Sequence, residues 1–217
     1  MGELRNYIAL VTARSGSKRI KDKNMTRLGD KALINWTLDA IHSVRDSFSE
    51  VIVSSDDHRI LDMCDLYDFS PHERGAALAT DTATSLDVVL DVLTGFRYDQ
   101  KQTANTSICL LQPTSPFRKA SQISQALRQH EESSLDSLVS VHQTPKRYSW
   151  YLAKQKRGNY RYLKPEQPGD YDFIVNGALY VSKVSSILIN KEIINSRSCE
   201  VFPMDYYSSI DIDVPEE

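Results

Sequence analysis

The chain has 217 residues, 41% of them hydrophobic and 25% charged, with a formal net charge of −3. This is the composition of one soluble globular domain with a substantial core, and its slight acidity excludes a protein that coats nucleic acid. No apolar run approaches the roughly eighteen residues of a membrane span, and Cys64, Cys109 and Cys199 are too dispersed for a disulfide framework or a zinc site.

Residues 1–6 lack a charged n-region leading into an apolar h-region, so no secretion signal is expected and the expected setting is the cytoplasm. Tyr7 to Val11 then reads as a strand. It empties into a small-residue loop, Ala13-Arg14-Ser15-Gly16-Ser17-Lys18. From Arg14 to Asn24 there are five basic residues (Arg14, Lys18, Arg19, Lys21, Lys23) and one acid (Asp22), +4 inside a net-acidic chain.

Leu33 to Val44 follows as a helix, with Ile34, Leu38 and Ile41 on one face. Ser49 to Ser54 reads as a buried strand. It ends in Asp56-Asp57, which can cap a helix from Arg59 to Leu66. Ser70 to Thr84 reads as a break, and Leu86 to Phe96 as a helix. Ser107 to Leu111 is the next strand and stops at a loop stiffened by Pro113 and Pro116. Ala120 to Glu132 reads as a helix and Ser137 to Val141 as a strand.

Between His142 and Phe173 aromatic residues crowd around the turn signal Lys156-Arg157-Gly158-Asn159. The pattern predicts a hairpin insertion, and Tyr and Trp there favour a subunit interface over nucleic acid. Phe173 to Val181 is a long strand, and the tail alternates through Ile210, Asp211, Ile212 and Asp213. Strands and helices alternate as in βαβ units. The expected fold is therefore a Rossmann-like three-layer α/β/α domain over residues 1–217, with a mostly parallel sheet and a protruding arm over residues 142–172. Ligands of such sheets sit beyond the carboxyl ends of the strands, where the loops at 12–24, 70–85 and 112–118 converge.

Several residues can carry chemistry there. Ser15, Gly16 and Ser17 let backbone N–H groups approach a phosphate, and Arg14 and Lys18 bring charge to it. A cation about 4 Å from a phosphate charge contributes roughly 4 kcal/mol at an effective dielectric of about 20. The loop matches neither G-x-x-x-x-G-K-[ST] nor G-x-G-x-x-G, and a merely solvated basic loop is the other reading. Asp211 and Asp213, about 7 Å apart on an extended segment, suit Mg²⁺ together with phosphate oxygens; an edge strand with polar residues outward is the alternative. Gln112, Thr114 and Ser115 can read a base edge or a sugar hydroxyl, or simply build a turn. Thr84 or Ser85 can cap the next helix. Gly177, inside a strand, points to a close backbone approach.

Taken together these stretches resemble the acylneuraminate cytidylyltransferases. The resemblance rests on Ala13 to Lys18 with Lys23-Asn24, Arg74 with Leu78 to Ser85, Leu111 to Arg118, Asn176 to Tyr180, and Ile210 to Asp213. It implies a nucleotidyltransferase that joins CTP to a nine-carbon keto sugar acid, giving a CMP-sugar and pyrophosphate. By similarity Arg14, Lys18 and Asn24, with Lys23, hold the triphosphate. Arg74, Ala83 and Ser85 surround cytosine and ribose, Gln112 and Asn176 lie near the sugar, and Asp211 and Asp213 hold Mg²⁺. The aromatic insertion is similar to a dimerisation arm of a homodimer, with Lys146 reaching the partner's sugar site. The reaction expected is in-line attack of the anomeric hydroxyl on the α-phosphorus, with Arg14, Lys18 and Asp211 as catalytic residues. The chain departs from its relatives at Arg19-Ile20-Lys21, where Gly, Leu and Pro are frequent, and at Glu166, where an arginine is frequent. The other readings are a deoxyoctulosonate-type cytidylyltransferase, a metal-dependent glycosyltransferase and a non-catalytic nucleotide-binding paralogue.

Overall fold

The computed structural model describes residues 6–95, 103, 105–144, 151–154, 160–163 and 172–214. Its first strand, β1 (Asn6–Ala13), alternates two sets of buried side chains. Tyr7, Ala9, Val11 and Ala13 face one layer of core, and Ile8 and Leu10 face the other. A strand buried on both faces belongs in the middle of a sheet.

The chain continues through a two-residue ribbon, β2 (Arg27–Leu28) and β3 (Lys31–Ala32), into α1 (Leu33–His42). Next come β4 (Glu50–Ser55), α2 (His58–Leu61), α3 (Cys64–Tyr67), β5 (Ser70–Glu73) and α4 (Ser85–Gly95). The second half holds β6 (Thr106–Leu111), α5 (Ala120–Glu132), β7 (Ser137–Thr144), β8 (Tyr151–Lys154), β9 (Tyr160–Leu163), β10 (Asp172–Lys183), α6 (Val184–Asn190) and β11 (Cys199–Met204).

Seven strands form one sheet in the order β11-β7-β10-β6-β1-β4-β5. β10 is antiparallel to β6 and β7, and the other strands share one direction. On one face α1 supplies Ile34, Leu38 and Ile41, and α5 supplies Ile123, Ala126 and Leu127. On the other, α4 supplies Val89, Val92 and Leu93, and α6 supplies Val184 and Ile187. The result is the expected three-layer Rossmann-like domain.

Several local expectations are corrected. Ser70 to Glu73 is a strand rather than part of a break. It pairs in parallel with β4 at the sheet's edge, where Pro71 can lack an N–H without breaking a ladder. β11, at the opposite edge, carries Pro203 for the same reason and was not anticipated. The helix expected from Arg59 to Leu66 is two short ones, α2 and α3. The tail is not a strand: a 3₁₀ turn at Tyr207–Ser209 leads into irregular chain, pinned where the Ile212 N–H donates to the Thr114 carbonyl at 2.7 Å. β8 and β9 pair antiparallel, as a hairpin requires. The intervening turn residues, Lys146 and Glu166 lie outside the described residues.

No helix among the described residues is long and apolar enough to cross a membrane. Cys64, Cys109 and Cys199 are free thiols, and burial pushes Cys109 up to about 12, so it is an inert core residue.

Candidate active site

The chain leaves β1 for β4 on one side and returns to β6 on the other. Such a switch point opens a crevice beyond the carboxyl ends of the strands. Here it holds a cavity of about 300 Å³ lined by Thr12 and Arg14 after β1, Lys23 and Asn24 farther along that loop, Arg74 after β5, Ala83, Thr84 and Ser85 at the start of α4, Gln112 and Thr114 after β6, and Asp211 and Asp213 from the tail. Segments up to two hundred residues apart in sequence thus share one wall-to-wall site.

The phosphate-loop candidate is held by its own struts. The Ser15 N–H and hydroxyl donate to Asp56 at 2.8 and 2.5 Å, and Asn24 Nδ2 donates to the Arg14 carbonyl at 2.9 Å. Burial works to raise the Asp56 carboxyl, but the two bonds from Ser15 outweigh it and hold the pKa below its usual value. Ser15 is therefore a strut of the loop in this state, and its N–H is not offered to the crevice. Ala13 is core, buried at the end of β1. Gly16 leaves its Cβ position open except for an Arg14 Nη1 at 4.0 Å. Ser17 lines the cavity.

Every cation of the loop that faces the crevice meets a carboxylate. Arg14 Nη1 donates to Asp81 at 2.7 Å, and Lys18 pairs with the other oxygen of the same group. Lys23 and Arg19 each reach Asp213 at 2.8 Å. Lys23 foremost, then Arg19, holds the Asp213 carboxyl below its usual range. Lys18 and then Arg14 do the same for Asp81.

Arg74 is 6% exposed. Its guanidinium donates to the Ser54 carbonyl at 3.0 Å and the Ser54 hydroxyl at 3.3 Å, which fixes a buried cation under the wall formed by Ala83 to Ser85. Thr84 caps α4: its hydroxyl accepts the Asp87 N–H at 3.2 Å while Asp87 accepts the Thr84 N–H at 2.8 Å.

On the far wall β10 bulges between Val175 and Tyr180. Gly177 there has φ +77°, and a Cβ on it would lie 3.0 Å from Gln112 Oε1 and 3.6 Å from Asp211 Oδ2. The backbone approach expected of this glycine is to side chains of the site. Asn176 does not line the cavity. Its amide accepts from the Ser140 hydroxyl at 2.6 Å and donates to Ser209 at 2.8 Å, so it braces the bulge from behind. Ser115 is likewise displaced from its expected sugar-reading role: it is fully buried inside the turn, where its N–H donates to the Gln112 carbonyl at 3.3 Å.

The two carboxylates of the tail fit a divalent ion in part. Asp211 and Asp213 face the cavity while Ile212, between them, is buried. Among the described residues no cluster of three or more His, Cys, Asp or Glu is preformed for a metal. Two carboxylates leave most of the coordination to phosphate oxygens and water, the donor set that suits Mg²⁺.

Asp56, which the sequence suggests only as part of a helix cap, and Arg118, at the end of the loop after β6, are supporting residues of the site. Arg118 is 3% exposed and donates to the Ala178 carbonyl at 2.5 Å, to Thr37 at 2.9 Å and to the Gln112 carbonyl at 3.4 Å. It ties the loop after β6 to the β10 bulge. Burial lowers its pKa to about 10, so it remains charged at neutral pH.

A cation-lined crevice at the switch point of a Rossmann-like sheet, with two carboxylates on its rim, defines a nucleotide-handling enzyme. A family profile described as Cytidylyltransferase matches residues 8–199. The chain belongs to the cytidylyltransferase family and is a nucleotidyltransferase. It is 34% identical to the CMP-N,N'-diacetyllegionaminic acid synthase of Legionella pneumophila, over 96% of this chain and 91% of that protein. It is 31% identical to the N-acylneuraminate cytidylyltransferase of Streptococcus agalactiae serotype V over 97% of its own length, but spans 51% of that longer relative. Two solved structures share the fold at low identity. A CMP:2-keto-3-deoxy-manno-octonic acid synthetase complexed with CTP gives a TM-score of 0.68 at 13% identity, covering 97% of this chain and 94% of the other. A 4-diphosphocytidyl-2C-methyl-D-erythritol synthase from Anaerococcus prevotii gives 0.66 at 14%, covering 98% and 94%.

Proposed function

We propose that the enzyme activates a nonulosonic, sialic-acid-like sugar acid with CTP, releasing pyrophosphate and a CMP-sugar. The observation that carries this reading is the convergence of Arg14, Lys23, Arg74, Gln112 and Asp211 on one cavity, in a chain whose full-length relative makes a CMP-nonulosonic acid.

In this reading Arg14, Lys18 and Lys23 exchange their carboxylate partners for the triphosphate. Arg74 supports the wall of Ala83, Thr84 and Ser85, against which cytosine and ribose lie. Gln112 and Thr114, on a loop clamped by Arg118, orient the sugar over Gly177. The anomeric hydroxyl attacks the α-phosphorus in line, and fixed cations stabilise the charge that builds on the phosphates. Asp211 and Asp213 would hold Mg²⁺, which when bound supplies charge neutralisation and lowers the pKa of a coordinated hydroxyl. In this reading the hydroxyl loses its proton near Asp211, whose carboxylate lies beside Gly177.

We also propose that the β8–β9 hairpin is a dimerisation arm. Phe173, Ile174 and Val175, consecutive on the strand that leaves it, are all exposed. Successive strand residues point to opposite faces, so this end of β10, paired with β7, is apolar on both faces and suited to meet a second copy. Light scattering at micromolar concentration tests it, and a monomer would contradict it.

The functional test is pyrophosphate release with Mg²⁺, a panel of nonulosonic acids and each of CTP, UTP, ATP and GTP. Release confined to CTP with a nonulosonic acid is expected; release with another nucleotide only, or with eight-carbon deoxyoctulosonate only, would overturn the reading.

A further inference from the structure

The crevice continues outward into a second cavity of about 340 Å³, walled by Arg14, Lys18, Arg19, Lys23, Asp81 and Asp213. It shares Arg14, Lys23 and Asp213 with the inner one. Four cations thus surround two carboxylates, and the pairing is orderly: Arg14 and Lys18 grip Asp81, and Lys23 and Arg19 grip Asp213. The excess of positive charge suits a polyanion, and the two carboxylates stand where such an anion's oxygens would be held. Arg19 is exposed, at 66%, as Lys18 is at 78%, whereas Lys23 is 13% exposed. Its guanidinium reaches Asp213 at 2.8 Å and presents a fork that matches phosphate as well as carboxylate.

We propose that Arg19 is a pyrophosphate-binding residue that sets how tightly this enzyme holds the β- and γ-phosphates of its nucleotide and the pyrophosphate it releases. The proposal rests on the CTP reading above. In the free enzyme Asp213 neutralises Arg19. When the outer cavity receives the phosphates, the guanidinium turns from Asp213 to them. The α-phosphate, next to the inner cavity, is outside the reach of this residue.

Calorimetric titrations of the wild type, Arg19→Ala and Arg19→Lys with inorganic pyrophosphate, CTP and CMP, without sugar acid, test this. The expected result is that Arg19→Ala binds pyrophosphate and CTP roughly tenfold more weakly and CMP as the wild type does, with Arg19→Lys between them. Pyrophosphate as a product inhibitor weakens in parallel. Unchanged pyrophosphate affinity in Arg19→Ala, or an equal loss for CMP and CTP, overturns the proposal. A wild type that binds CTP while the variant binds it equally well discards Arg19 alone; a wild type that binds no CTP discards the nucleotide reading itself.

Discussion

Gln112 Oε1 lies 3.0 Å from the point where a side chain on Gly177 would begin. The glycine also has φ +77°, a conformation that costs other L-residues about 1–2 kcal/mol. Gly177→Ala is therefore expected to lower stability by about that amount and to push Gln112 and Asp211 off the far wall. A fall in kcat/KM on the order of a hundredfold, with a Tm drop of a few degrees, is the expected outcome. Wild-type kinetics would show that the Gln112–Gly177 contact does not shape the site.

Asp56 ties the loop's first turn through Ser15. Its folded pKa is depressed, so its contribution to stability is fully present above its ordinary value of 3.8 and is lost as pH falls through the lower folded value. Asp56→Asn removes that contribution. Its stability profile is expected to lie below the wild type at neutral pH and to converge on it below about pH 4, with CTP affinity reduced roughly fivefold as the loop loosens. Denaturant titrations across pH check it.

Arg118 is a buried cation whose listeners are carbonyls and a hydroxyl rather than a carboxylate. Arg118→Met strands the acceptors on Ala178, Thr37 and Gln112 and is expected to cost about 2–4 kcal/mol. Because the loop it clamps carries Gln112 and Thr114, the loss should appear in KM for the sugar acid more than in CTP affinity. Arg118→Lys keeps the charge without the fork and should recover part of the stability. Equal effects on both substrates would argue for general softening.

Asp211→Ala is expected to lower turnover on the order of a thousandfold while CTP affinity stays within about tenfold, since the cations of the first loop remain. Near-normal turnover would remove Asp211 from the reaction.

Much of this was legible in the chain. The 3.6-residue spacing predicts Ala120 to Glu132 as a helix with the observed bounds, and β1 with its basic loop points to the phosphate end of the crevice. Edge strands were harder. Pro71 and Pro203 argue against strands from sequence, yet both sit at sheet margins, where a missing N–H is tolerated. The tail's alternation through Asp211 and Asp213 is real, but it comes from the burial of Ile212, whose N–H donates to the Thr114 carbonyl, not from a ladder. Supporting bonds such as Ser15 to Asp56, 41 residues apart, leave no local signal. Residue type also misled at Ser115 and Asn176, whose polar groups serve the scaffold behind the cavity.

The most direct test is phosphorus NMR of the enzyme incubated with CTP, Mg²⁺ and a nonulosonic acid such as N,N'-diacetyllegionaminic or N-acetylneuraminic acid. The expected result is that the three CTP resonances give way to one phosphodiester signal of a CMP-sugar and one of pyrophosphate, in equal amounts. Intact CTP with every sugar acid tried, or CMP and pyrophosphate without a phosphodiester, would contradict it.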